Sequence, residues 1–188
     1  MLPIGFIFVA VALRLIGGAA YLSAVIRGKA QPYPLSWLLW SITPMIAFAA
    51  EISAGVGLSS LVTLALGVTP LLVFITAMIK NPRWLKLDTL NIICGLIAIG
   101  GIALWLITDT PVLAIVISII ADFFSGLPTI RKAIKKPKSE YAPAYFMSAL
   151  AMTVTLLTIN SWSFATWAFP VYVLIVNSFM VWIITRRY

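Results

Sequence analysis

Two charged residues stand inside stretches of sequence that otherwise carry none. Arg14 and Asp122 each lie about ten residues from the end of an apolar run. A charge near mid-bilayer costs at least ~2.5–3.5 kcal/mol on insertion scales, so it faces protein or water and takes a partner. Each heads a stripe at helical spacing: Arg14, Gly17, Gly18, Tyr21 and Asp122, Ser125, Gly126, Thr129. Brought together, such a pair can coordinate a polar solute, form a gate or move a proton through the carboxyl. It can equally be a buried ion pair that only fixes packing, and the sequence leaves both readings open.

Trp37 and Trp40, spaced i, i+3, share a helix face. Indoles there either stack on a ring-shaped solute or sit in the aromatic belt at headgroup level. Trp84, Trp105, Trp162, Trp167 and Trp182 lie near the ends of apolar runs, where the belt is expected. Asn177 falls two turns beyond Pro170 on the same face, with Tyr172 between them. An amide in hydrocarbon must find a neighbouring helix or a solute, so Tyr172 and Asn177 join the candidate solute contacts. Glu51 and Asn160, near run ends, are expected to reach the headgroups. Pro44, Pro70, Pro128 and Pro170 permit kinks, and Pro44, Pro128 and Pro170 are the expected hinges. Ala144, Ser148, Ala151, Thr155 and Thr158 form a small-residue stripe of the kind that packs helices closely.

Other chemistry is excluded by what is missing. There is no histidine and one cysteine, Cys94, which removes His-based acid–base work, Cys/His metal clusters and an intrachain disulfide. No P-loop or nucleophile–base pair is present. The expectation is a protein without enzymatic activity, cofactor or metal.

The elements that position these residues follow from composition. Of 188 residues, 62% are hydrophobic and 10% charged, against roughly 45–50% and 25% in soluble domains. That much apolar surface needs lipid around it. A span takes about 20 apolar residues, and seven segments qualify: Pro3 to Ile26, Pro34 to Ile52, Leu58 to Ile79, Leu90 to Thr108, Pro111 to Ile130, Ala142 to Asn160 and Ser163 to Ile184. Twelve of the thirteen basic residues follow segments 1, 3, 5 and 7, leaving Arg14 as the thirteenth. The positive-inside rule then puts the N-terminus outside and the C-terminus in the cytoplasm. Segment 1 has its positive charges after it, unlike a cleavable signal peptide.

Segments 1–3 and 5–7 align weakly with each other, pairing Leu22 with Leu127, Arg27 with Lys132, Gly17 with Asp122, Ser53 with Ser161 and Val68 with Val176. One extra segment between two three-helix units makes both enter the membrane in the same direction, a parallel repeat with the solute path where the halves meet. The expected units are residues 1–80, a linker helix in 81–110, and 111–188. This 3+1+3 layout of an all-α integral membrane protein resembles the SWEET sugar facilitators and the wider PQ-loop superfamily. The local resemblance is carried by Leu127-Pro128-Thr129, then Lys135-Lys136-Pro137-Lys138-Ser139-Glu140, then Pro143. Three positions depart from the family pattern: Ser23 replaces a helix proline, Gln31-Pro32 reverses Pro-Gln, and Pro170-Val171 stands where the family has Pro-Asn. The Trp37–Trp40 spacing is similar to a tryptophan pair of the nicotinamide riboside carriers, relatives on the same fold.

The resemblance implies a carrier or facilitator that passes a sugar or similar small polar solute between the halves by alternating access around proline kinks. A ligand-binding receptor, a lipid-handling or assembly protein, and a vitamin or nucleoside carrier are the alternatives on the same fold. The expected partners are a small-molecule solute and the lipid bilayer, not nucleic acid, with a homo-oligomer compatible. The expected location is a bacterial or archaeal cytoplasmic membrane.

Overall fold

The computed structural model describes residues 2–82 and 110–186, together with Thr89, Ile92, Ile93, Leu96, Ile97, Ile99, Gly100, Ala103 and Ile107 between them. Most of segment 4, with Trp84, Trp105 and Cys94, lies outside the described residues. Six α-helices are defined among them: α1 Ile7–Ile26, α2 Pro34–Ser53, α3 Ser60–Lys80, α4 Pro111–Lys135, α5 Ala142–Leu157 and α6 Phe164–Thr185. Helices α4, α5 and α6 correspond to segments 5, 6 and 7. Proline opens α2 and α4 and sits in the first turn of α5, where its missing N–H costs nothing. Past the end of α1, Gly28 adopts φ 73°, the left-handed conformation that stops a helix and that glycine takes without strain.

Five of the elements are long and apolar enough to cross a membrane, and α5 is a shorter apolar helix of 16 residues. The chain is an all-α membrane protein of several passes. Two segment boundaries differ from expectation. Helix α4 continues past Ile130 to Lys135, because lysines in a last turn complement the helix dipole and extend toward the interface. Helix α5 stops at Leu157 rather than Asn160, and the Thr158 hydroxyl donates to the Thr155 carbonyl at 2.6 Å just past its end. The helices run on through Pro44, Pro70, Pro128 and Pro170, all four buried.

Packing closes the six helices into a ring. Within the first half α3 lies between α1 and α2; within the second α6 lies between α4 and α5. The halves join through α1 against α5 and α2 against α4. Exchanging α1 with α4, α2 with α5 and α3 with α6 maps every one of these pairings onto another. A glycine lets the first helix of each half approach the other half. A Cβ on Gly17 would fall 2.8 Å from the Met147 Cβ, and one on Gly126 would fall 3.0 Å from Trp40 Cζ2. The small-residue stripe of α5 is buried throughout, as close packing requires.

The ring presents Phe8, Ile16, Ile75, Ile120, Phe146 and Ile175 outward, an apolar exterior suited to lipid. Inside, two apolar clusters fill its ends, each drawing on all six helices. One centres on Ile7, Ala10, Ala50, Val62, Ile115, Met152 and Phe169. The other, at the end where the basic loops gather, centres on Tyr21, Val25, Trp37, Val73, Tyr145 and Met180. Lys80 donates to the Ile26 carbonyl there and Lys132 to the Gln31 carbonyl, so the ends of α1, α3 and α4 share one side.

Candidate functional site

Between the two clusters lies a cavity lined by side chains from all six helices. Arg14, Trp37, Trp40, Asp122, Tyr172 and Asn177, dispersed over 164 positions of sequence, all face it, as does Pro44. Pro128 and Pro170 are buried but do not line it. The cavity measures ≈ 60 Å³.

Asp122 organises the polar layer. Thr43 Oγ1 donates to its Oδ1 at 2.6 Å and the Tyr172 hydroxyl to its Oδ2 at 2.8 Å. The indole N–H of Trp40 donates to the Asp122 backbone carbonyl at 3.2 Å, which also accepts from Ser125 at 2.7 Å. Three helices therefore converge on one residue, and the bonds from Thr43 and Trp40 cross between the halves. Thr43 and Trp40 share a face of α2 at i, i+3, which aims both at α4.

Arg14 does not form the expected ion pair. It is 8% exposed and feels Asp122 and Tyr145 electrostatically. Among the described residues, however, the salt bridge present is Lys132 with Glu140, and the buried Nε of Arg14 has no hydrogen-bond partner. The hydroxyls of Thr43 and Tyr172 already occupy Asp122, so its carboxylate is held without the guanidinium.

No family model, curated protein or solved structure matches the chain. The site must speak through its own chemistry.

Trp37 and Trp40 are not belt residues. Trp37 is 6% exposed and packs against Tyr21 at a 38° tilt with ring centroids 4.3 Å apart, and Trp40 meets Trp37 edge-on at 5.5 Å. They are turned inward because α2 packs between α3 and α4, which directs this face across the ring to Tyr21 of α1 and to Asp122 of α4. Trp162 and Trp182, by contrast, are exposed. Asn177 donates from Nδ2 to the Val173 carbonyl of its own helix at 2.8 Å, bridging to no neighbour. Glu51 does not reach the headgroups: it is 2% exposed and accepts from Thr63 at 3.1 Å. The tight turn between α2 and α3, with Gly55 and Gly57 at positive φ, folds the start of α3 back over it.

A second polar group closes the basic end of the cavity. Glu140, in the connection between α4 and α5, accepts at Oε2 from the Tyr21 hydroxyl at 2.7 Å and the Tyr145 hydroxyl at 2.8 Å. Its Oε1 lies 2.6 Å from Lys132 Nζ. Both tyrosine rings line the cavity, so the carboxylate ties its wall to the loops and joins the first half to the second. Tyr21 belonged to the Arg14 stripe; Glu140 gave only one hint, as the lone acid in a basic run. Tyr145 and Ser148 occupy the positions that an offset of 108 assigns to Trp37 and Trp40, and all four line the cavity.

Proposed function

We propose that the chain is a small-solute carrier of SWEET-like or PQ-loop layout, seven spans in a 3+1+3 arrangement with the basic end in the cytoplasm. The observation that carries this reading is the cavity at the junction of the halves, with Arg14 and Asp122 in its lining and an apolar cluster from all six helices toward each end. Alternating access needs a chamber at such a junction, reached in turn from either side as one half rocks against the other. Arg14, Trp37, Trp40, Asp122, Tyr172 and Asn177 contact the solute, and Pro44, Pro128 and Pro170 supply the bending points.

Reconstitution into liposomes tests this. Internal unlabelled solute is expected to drive counterflow of the same labelled solute, saturably, with the flux lost in Trp40→Ala. Binding to the detergent-purified protein without equilibration across vesicles would reject a carrier and favour a receptor.

A further inference from the structure

The polar layer is unbalanced in a way that specifies what should enter it. Arg14 is more than nine-tenths buried, lines the cavity, and leaves its Nε without an acceptor. Trp37, also more than nine-tenths buried and lining the cavity, leaves its indole N–H without an acceptor. An indole nitrogen only donates, and a guanidinium only donates. Two residues lining one chamber thus each keep a buried donor without an acceptor among the described residues, one of them on a charged group, and the complementary ligand is an oxyanion; a carboxylate matches the guanidinium fork best.

The rest of the chamber rejects a simple anion. Asp122 lines it as well, and among the described residues its carboxylate accepts from the two hydroxyl donors above alone, leaving about two of its four lone-pair sites for a further donor. A monoanion would meet Arg14 but be repelled by Asp122, and a neutral polyol would leave the guanidinium charge uncompensated. The lining also includes Trp40, Tyr172 and Phe169, aromatic rings of the kind that attract ammonium groups.

We infer that the solute is a compact zwitterion, its carboxylate against Arg14 and the Trp37 indole N–H and its cationic end toward Asp122 and the aromatic wall. This inference rests on the carrier reading only in naming what is carried.

The test uses the full chain in detergent, titrated calorimetrically with glycine, L-proline and trimethylglycine, and with choline, acetate and glucose as matched probes. At least one zwitterion is expected to bind about tenfold or more tighter than choline or acetate. Trp37→Phe, which removes the N–H and keeps a ring, is expected to weaken that zwitterion about tenfold while leaving choline unchanged. Arg14→Gln is expected to abolish the preference over choline; circular dichroism checks that it folds, and Trp37→Phe decides the matter if it does not. The inference is overturned if no zwitterion binds, if choline, acetate or glucose binds as tightly, or if Trp37→Phe weakens choline and zwitterion alike. Vesicle counterflow separates the two claims. Glucose flux without zwitterion binding sinks the inference and leaves a carrier, whereas zwitterion binding without flux leaves the site and sinks the carrier.

Discussion

Tyr21→Phe isolates one bond of the closure at the basic end. The substitution removes a hydroxyl that donates to Glu140 at 2.7 Å and keeps the ring that packs on Trp37 at 4.3 Å. Tyr21 is 1% exposed, so water does not replace the lost donor. A hydrogen bond to a charged acceptor contributes about 1.5–3 kcal/mol net. Because this bond joins α1 to the connection before α5, its loss destabilises the closed arrangement relative to any in which the basic end has parted. At 1.4 kcal/mol per decade, the parted population rises roughly 10- to 150-fold. Ser148→Cys, placed in the cavity wall of a Cys94→Ser background, reports that population through its rate of labelling by a membrane-impermeant maleimide applied from the basic side. The rate is expected to rise by the same factor, and Glu140→Gln is expected to raise it with little further increase in the double variant, since both break one network. Labelling no faster than in the parent, with a lowered melting temperature, would show that the bond holds packing and not the closure.

Three further outcomes test the geometry. Gly18→Ala puts a Cβ 2.7 Å from Thr69 Cγ2, whereas Gly5 has open space around it; Gly18→Ala is expected to cost about 1–3 kcal/mol in detergent unfolding, with Gly5→Ala as the unaffected control. Thr43→Val removes one of the two side-chain donors to Asp122 and is expected to cost about 1.5–3 kcal/mol, with a non-additive double variant alongside Tyr172→Phe. Thr63→Val leaves buried Glu51 without its donor, costing about 1–3 kcal/mol, and Glu51→Leu in the same background is expected to recover stability, because the orphaned group is gone.

The sequence carried the six described helices because hydropathy is a property of contiguous stretches. It carried Arg14 and Asp122 because an ionisable residue in an apolar run stands out without any knowledge of the fold. Whether those two would touch depended on Thr43 and Tyr172, ordinary residues whose hydroxyls reached Asp122 first, and no local pattern ranks such competitors. Trp37 and Trp40 were ambiguous for a related reason. Spacing fixes the face a pair shares, while the direction of that face depends on how α2 leans on α3 and α4. Glu51 was misplaced because its depth was counted in residues, and a tight turn at Gly55 to Gly57 covered it.

Both ends of the chamber are packed by an apolar cluster, but the cross-links added between the halves differ. At the basic end the halves are linked by the Tyr21 hydroxyl on Glu140 and by the Gln31 N–H on the Ser139 carbonyl at 3.0 Å. At the far end small apolar residues such as Ala10, Ala50, Ala114 and Ala151 meet, with a backbone bond from Leu2 to the Leu157 carbonyl at 2.8 Å. Apolar association near room temperature is driven by entropy and weakens on cooling, whereas directional bonds are held by enthalpy. Temperature therefore acts as a selector of sidedness: cooling loosens the far end relative to the basic end, and warming reverses the bias. Impermeant labelling of the Ser148→Cys variant from each side, compared cold and warm, is expected to show the ratio of the two rates moving in that direction.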